Sequence, residues 1–395
     1  MLLTGATGFL GAYVLADLLD KRRNHVQKVY VHVRANDAGS AQRRLRDALA
    51  GRGLWREAWE QEGRVQAVVG DLSKPHLGLN DEDWAHLAKE VDVIVHNGAL
   101  VHWVYPYSKL RAANVLSTMA VMRLANEGRP KSVAFVSSTS ALDTEYYIRF
   151  SDTSAQGVLE SDPLNGSASD LKSGYGQSKW VAERLLMAAA SRGLAAVIIR
   201  PGYVVGDSKT AVTNTDDFLF RLIKGSAQLG LIPDMNNTIN MVPVDHVARV
   251  TSLAGLAATQ WPENRQTHAA VFHVTSHPTI RYNEFLGALI EYGWNVRPAE
   301  YLEWRTALEN HVLASAAAGN TGLDADSNAL FPLLHFVLDD LPTSTKSPEL
   351  NDANTTKLLT EAHELDVVRG VDVPLVGLYL SWLVAVGFLP PPASH

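Results

Sequence analysis

Short apolar runs alternate along the first half of the chain with longer stretches in which apolar residues recur every three or four positions. The runs are Met1-Leu-Leu, residues 29–34 (Val-Tyr-Val-His-Val-Arg), Val65-Gln-Ala-Val-Val, Val91-Asp-Val-Ile-Val-His, Ser132-Val-Ala-Phe-Val and Ala195-Ala-Val-Ile-Ile-Arg. All after the first have strand length and β-branched residues, and the most continuously apolar of them suit strands covered on both faces. The stretches between them, starting with Ala12 to Leu19, have helical spacing. The alternation predicts an α/β fold, a doubly wound parallel sheet of Rossmann type that meets its ligand at the strand carboxyl ends. Val271-Phe-His-Val-Thr reads as a further strand that rejoins this sheet. From about Gly206 onward the pattern becomes helical with scattered strands, as in Phe218-Leu-Phe-Arg-Leu-Ile-Lys. Two domains are expected: residues 1–206, with segments near 240–276 returning to it, and a smaller, mainly helical substrate domain over 207–395.

The first run leads into Thr4-Gly-Ala-Thr-Gly-Phe-Leu-Gly11. A strand, tight turn and helix start of this kind set backbone N–H groups against a dinucleotide pyrophosphate, with Gly5, Gly8 and Gly11 where a side chain would collide. Thr4, Thr7, Phe9 and Leu10 complete the expected turn. Glycine-rich turns also close ordinary βα units, so the turn needs support from elsewhere in the chain. Arg34 ends the second run about 20 residues later, where this fold meets the adenosine ribose. A guanidinium there matches a 2′-phosphate, which favours NADPH over NADH. Asp37 is the competing charge; Arg44 offers a second phosphate contact, with Arg43 and Arg46 beside it. Asp71 and Leu72 are expected to cover the adenine or to end a strand in a turn. Asn97, Gly98 and Ala99 leave room for the cofactor, and Ser137, Pro201 and Gly202 approach the nicotinamide.

Candidate chemistry comes from Gly174-Tyr-Gly-Gln-Ser-Lys-Trp, in which Tyr175 and Lys179 share one helix face. A carbonyl that accepts hydride develops charge on oxygen, and needs a hydrogen-bond donor and a proton source there. Tyr175 can be both. Its phenol would ordinarily titrate near 10, and Lys179 together with the positive ring of an oxidised cofactor is expected to lower that value. Thr139, from the hydroxyl cluster Ser137-Ser138-Thr139-Ser140, adds a second hydrogen bond, with Ser138 as the substitute if the register slips by one. A lone Tyr-x-x-x-Lys pair is commonplace on amphipathic helices. The glycine turn upstream and the hydroxyls between them, in the order the fold requires, give the pair its meaning. Asn114 lies on a helix before the cluster.

These three elements resemble the short-chain dehydrogenase/reductase superfamily in its extended form. A narrower resemblance covers nearly the whole chain. The segments 96–111, Phe135-Val-Ser-Ser-Thr-Ser-Ala-Leu-Asp-Thr-Glu-Tyr146, Gly174 to Glu183, Asn214-Thr-Asp-Asp-Phe-Leu and Asn240-Met-Val-Pro-Val-Asp-His-Val-Ala-Arg249 are similar to the thioester reductase domains of fungal α-aminoadipate reductases. That resemblance implies catalytic roles for Thr139, Tyr175 and Lys179, and nucleotide-binding roles for Gly5, Gly8, Gly11, Arg34 and Asp71. It implies NADPH as cofactor, and as partner a phosphopantetheinylated carrier domain with its acyl thioester, behind an adenylation domain in the full-length protein. The implied reaction releases α-aminoadipyl thioester as the semialdehyde in lysine biosynthesis. Related domains terminate non-ribosomal peptide synthetases, so a peptidyl aldehyde or alcohol is the alternative product. A sugar-nucleotide epimerase or dehydratase holding NAD is a further alternative on the same fold, against which Arg34 counts. A non-enzymatic cofactor-sensing module should lack the complete Thr/Tyr/Lys set. The stretch Leu358–Val373 is shorter than such enzymes lead one to expect and Ser315–Asp326 reads as a loose insert, which leaves the acyl group open.

Composition narrows the picture. The chain has no cysteine, which excludes acyl transfer through a thiol of its own and fits a reducing, cytoplasmic setting. A net charge of −7 without a basic stripe argues against nucleic acid; Lys21-Arg22-Arg23 closes the first helix, where it complements the dipole. Met1-Leu-Leu-Thr lacks the charged start of a signal peptide, and the glycine turn follows so soon that the chain reads as a piece of a longer protein. Val373 to Leu389 is apolar but short, interrupted by Gly377 and Ser381, and is expected as a buried terminal helix rather than a membrane span. Asp216, Asp217 and His246 could touch substrate, though capping and core hydrogen bonding are the expected duties. His273 and His277 lack a carboxylate beside them, so no metal is expected, and an isolated domain is expected to be monomeric.

Overall fold

The computed structural model describes residues 1–102, 104–258, 268–317, 328–334, 337, 341 and 345–392. The expected insert at Ser315–Asp326 therefore lies outside the described residues from 318 onward.

Seven strands form one sheet: β1 (Leu2–Thr4), β2 (Val29–Val33), β3 (Val65–Val69), β4 (Val93–His96), β5 (Ser132–Val136), β6 (Ala196–Pro201) and β7 (Ala270–Val274). Their order is β7-β6-β5-β4-β1-β2-β3, and every neighbouring pair is parallel. Every residue of β1, β2, β4, β5 and β6 is buried, which explains why these runs show little polar alternation. Helices supply the cover. Trp84 and Leu87, Val121 and Leu124, and Ala182 and Leu186, from three helices, join Phe135, Ile94 and Ile198 of the sheet in one core cluster. The Phe9–Ala16 and Val244–Ala257 helices pack together. Strand order reverses between β1 and β4, the point at which such sheets open a crevice at their carboxyl ends.

The chain divides into two compact units. The first comprises Met1–Val204, Val244–Thr275 and Pro348–Val367. Its last segment carries the Ala353–Glu361 helix along the edge strand β7, where Asn354 Nδ2 donates to Val271 O (2.9 Å) and Thr355 Oγ1 to His273 O (2.7 Å). Side chains thus occupy backbone groups that an open sheet edge would leave unpaired. The second unit comprises Val205–Pro243, Ser276–Ser347 and Val368–His395. Its core holds the fully buried Phe218, Phe220, Phe285, Trp304 and Tyr379. Within it, Asp217 caps the Phe218–Leu229 helix by accepting from Leu219 N (2.9 Å), and Asp216 pairs with Arg221. His246 lies wholly buried on the Val244–Ala257 helix of the first unit. The terminal helix, Val373–Ala385, buries Leu375, Val376, Tyr379, Leu380 and Leu383 after a cap from Asp372. No described helix is long and apolar enough to cross a membrane.

Candidate active site

The carboxyl end of β1 turns through Gly5 at φ +79°, a backbone conformation that glycine adopts without strain. A Cβ on Gly5 would stand 2.6 Å from Gly98 Cα, and one on Gly11 would stand 2.1 Å from the Gly5 carbonyl oxygen. Both glycines are therefore demanded by close backbone approach. Gly8 is exposed and serves as the cap of the Phe9–Ala16 helix, and no side chain among the described residues caps its first turn. That geometry fits an anionic diphosphate. Thr7, Phe9 and Leu10 are half-buried around the turn, as are Asn97 and Ala99 after β4. Asn97 Nδ2 donates to Gly5 O at 3.4 Å, and Leu72 Cδ1 is 2.7 Å from where a Gly98 Cβ would be. Thr4 differs from expectation. It is fully buried, and its hydroxyl accepts the Gly98 N–H (2.8 Å) and meets His96 Nδ1 (2.9 Å), so the oxygen is occupied inside the protein.

At the end of β2, Arg34 is exposed and its carbonyl accepts from Arg44 Nη1 (2.6 Å), which brings both basic residues together. The competing charge is accounted for: Asp37 caps the Ala38–Ala50 helix, accepting from Ser40 N and Ser40 Oγ, both at 2.8 Å. Arg46 pairs with Glu60 and Glu57, and Arg43 donates to Ser40 Oγ. Asp71 accepts from Ser73 N and Oγ, and these bonds, with Lys74 and Arg34 nearby, hold its carboxyl below the usual range.

The Gly174–Ala190 helix starts from Ser173, whose hydroxyl accepts from Gly176 N (3.0 Å). Gly176 lets this start lie against the turn Thr139–Leu142, since a Cβ there would be 2.6 Å from Ser140 O. Ser138 caps that turn by accepting from Ser140 N, which commits its hydroxyl and leaves Thr139 as the free one. Thr139 and Tyr175 are both half-buried, and neither hydroxyl has a hydrogen-bond partner among the described residues. Lys179 is buried; its Nζ donates to Val136 O (2.7 Å) and lies 5.7 Å from the Tyr175 ring centroid. The expected lowering of the Tyr175 phenol rested on Lys179 together with an oxidised cofactor; in the chain by itself the direction is the opposite. Burial pushes the phenol up, and the Lys179 ammonium addresses the end of β5. Burial likewise brings Lys179 down to about 8, against the opposing pull of Glu183.

Two groups escaped the sequence reading as site members. Asn114 sits in a π-type turn, Ala112–Leu116, where it clasps the Leu100 backbone (2.7 and 3.0 Å) and donates to Ser178 Oγ (2.9 Å), which donates to Tyr175 O. Such turns interrupt helices at functional sites often enough to be a signal, but only the structure reveals one. Glu183, one turn beyond Lys179, was legible as a face-mate. It accepts from Ser137 Oγ and from Arg200 (2.7 Å), and Arg200 in turn meets His273 Nε2 (3.0 Å). Ser137 therefore holds the helix to β5 rather than offering its hydroxyl to a ligand. Pro201 is buried, and Gly202 is half-buried with its N–H donating to Val274 O (3.2 Å). His273 points into this network, and among the described residues no three His, Asp or Glu side chains gather as a metal site.

The family described as male sterility protein, an NAD-binding domain, matches residues 3–251, a span that includes the glycine turn and the Tyr175 helix. The chain belongs to the male sterility protein family. Similarity within reach of this family extends along the whole chain: to L-2-aminoadipate reductase of Schizosaccharomyces pombe, 48% identical over 399 residues, and of Saccharomyces cerevisiae, 50% identical over 402 residues. Each alignment takes in 99% of this chain but 27% and 28% of the relative, so the chain spans little more than a quarter of their length. Among solved structures, the terminal R domain from the myxalamid PKS-NRPS biosynthetic pathway is 34% identical, with a TM-score of 0.83 over 99% of this chain and 92% of that one.

Proposed function

We propose that this chain is an NADPH-dependent thioester reductase domain that releases a carrier-bound α-aminoadipyl group as its semialdehyde. The observation that carries the reading is the pair of unpartnered, half-buried hydroxyls of Thr139 and Tyr175, at the carboxyl side of the sheet that also bears the glycine cradle. The higher identity to the L-2-aminoadipate reductases than to the myxalamid domain supports the acyl group.

The residues present fit the cofactor. Gly5, Gly8 and Gly11 with the first-turn N–H groups of the first helix would hold the diphosphate, Arg34 and Arg44 a 2′-phosphate, Asp71 and Leu72 the adenine side, and Asn97, Gly98, Ala99, Pro201 and Gly202 the remaining wall. When bound, NADPH supplies the reducing equivalent. Thr139 and Tyr175 donate to the thioester carbonyl oxygen, and those bonds strengthen as charge builds there, which is where rate acceleration originates. A phenol raised by burial stays protonated at neutral pH, as a proton donor must. Lys179 and Asn114 keep the helix start in register through Val136 and Ser178. The tetrahedral thiohemiacetal then collapses, expelling the carrier thiol with a proton from Tyr175 or water. With no cysteine in the chain, the acyl group passes directly from carrier to aldehyde. We assign substrate and carrier binding to the second unit, and to the full-length protein the adenylation and carrier domains that precede a reductase of this kind.

The test is turnover of α-aminoadipyl and dipeptidyl thioesters of a phosphopantetheinylated carrier, followed by NADPH consumption and trapped aldehyde. Faster release of the α-aminoadipyl group is expected. A faster dipeptidyl reaction would transfer the reading to a peptide-synthetase terminus, and absence of aldehyde from both would end it.

A further inference from the structure

Among the buried titratable side chains that the mechanism leaves unused is His96. It closes β4 and is 1% exposed. Its Nδ1 lies 2.9 Å from Thr4 Oγ1, and its Nε2 lies 3.2 Å from Ser117 Oγ. The neighbours decide the direction of both bonds. Ser117 Oγ already donates to Ala113 O at 2.6 Å, and a hydroxyl has one proton, so Ser117 can only accept from the imidazole. The ring proton is therefore on Nε2. Thr4 Oγ1 already accepts the Gly98 N–H at 2.8 Å, so its own proton goes to Nδ1. One directed chain results: Gly98 N–H to Thr4, Thr4 to His96, His96 to Ser117, Ser117 to Ala113 O. Every member but the ends donates once and accepts once, and Thr4, His96 and Ser117 are all buried.

The two ends of the chain are the informative part. Gly98 lies against Gly5 in the cofactor cradle. Ala113 belongs to the π-type turn whose Asn114 reaches Ser178, and Ser178 bonds the carbonyl of Tyr175. The Thr4–His96 link joins segments 92 residues apart, and the Asn114–Ser178 bond, one residue beyond Ala113, joins segments 64 apart.

We propose that His96, neutral and protonated on Nε2, is a positioning residue that ties the cofactor cradle to the turn seating the Tyr175 helix. What the two ends do rests on the function proposed above; the direction of the chain does not. The two titratable groups that act on His96 both disfavour a second proton. The Lys179 ammonium and the His32 imidazole add to burial, and bring its pKa down to about 3. Thr4 and Ser117 are neutral, and Phe135 presents only its ring, 5.7 Å away. The chain therefore keeps its direction throughout the working pH range.

The two halves separate by substitution, because an asparagine amide stands where Nδ1 is and a glutamine amide where Nε2 is. His96→Gln keeps a donor for Ser117 and deprives Thr4 of its acceptor. Its NADPH dissociation constant, read by fluorescence titration, should rise about tenfold while kcat at saturating NADPH stays near the parent value. His96→Asn keeps the acceptor for Thr4 and deprives Ser117 of its donor. It should bind NADPH normally and lose about tenfold in kcat. A reversed split, or equal losses in both parameters for both variants, overturns the proposal. The titration needs no thioester, so failure of the parent chain to reduce any thioester would remove the proposed function and leave the binding contrast decisive. If the variants do not fold, nitrogen-15 histidine NMR of the unsubstituted chain decides. An Nε2-protonated ring that does not titrate from about pH 5 to 9 is expected; an Nδ1-protonated or charged ring refutes the assignment.

Discussion

Replacing Tyr175 by phenylalanine removes one oxygen and leaves the ring in place. That oxygen bonds no described residue, so its loss strands no donor or acceptor inside the protein. The Ser178 bond to the Tyr175 carbonyl and the contact between its ring and Lys179 Nζ, at 5.7 Å, do not involve it. The melting temperature should therefore move by no more than about 2 °C. The rate should respond very differently. A donor aimed at a developing oxyanion contributes about 10²–10³-fold, and a positioned proton donor about 10²–10⁴-fold. The same hydrogen serves both purposes, so the factors do not multiply, and a loss of about 10²–10⁴ in kcat follows, or about 2.7–5.4 kcal/mol of barrier. The assay is NADPH oxidation with a carrier-bound thioester, beside a fluorescence titration of NADPH and a thermal melt. Activity within tenfold of the parent would refute the role given to the phenol. A parallel fall in activity, NADPH affinity and melting temperature would show instead that Tyr175 is a packing residue.

Three further outcomes follow from named contacts. Lys179, brought down to about 8 by burial, carries its charge below that pH, so kcat should fall as pH rises through about 8. Its unfolded-state value, near 10.4, is higher; the unfolded chain then holds more protons between these limits and this group makes stability rise there, so a stability fall in parallel with the rate would contradict the assignment. Arg34→Ala removes an exposed guanidinium and should raise the KM for NADPH about 10–100-fold while that for NADH hardly changes; equal changes for both cofactors would remove the 2′-phosphate role. Glu183→Ala leaves the fully buried Arg200 without its 2.7 Å carboxylate partner, and denaturant unfolding should report a loss on the order of 3–5 kcal/mol; a loss under about 1 kcal/mol would mean that the pair is not a buried anchor.

Residue order by itself determined the features that depend on neighbours along the chain. The apolar runs became β1 to β6, and the run at Val271 became β7, because side-chain periodicity and β-branching act over a few residues. The glycine spacing and the four-residue separation of Tyr175 and Lys179 were legible for the same reason: steric room and helical pitch are local. Partnership was not. Asp37 could have opposed Arg34, and only the folded chain commits it to a helix cap. Thr4 and Ser137 read as ligand contacts until His96 and Glu183, 92 and 46 residues away, met their hydroxyls. The phenol of Tyr175 was expected to be lowered by its lysine and an oxidised cofactor together; in the folded chain by itself burial pushes it up, and the ammonium is turned towards Val136. Desolvation and hydrogen-bond partners depend on what distant segments bring to a point in space, and that no local pattern encodes.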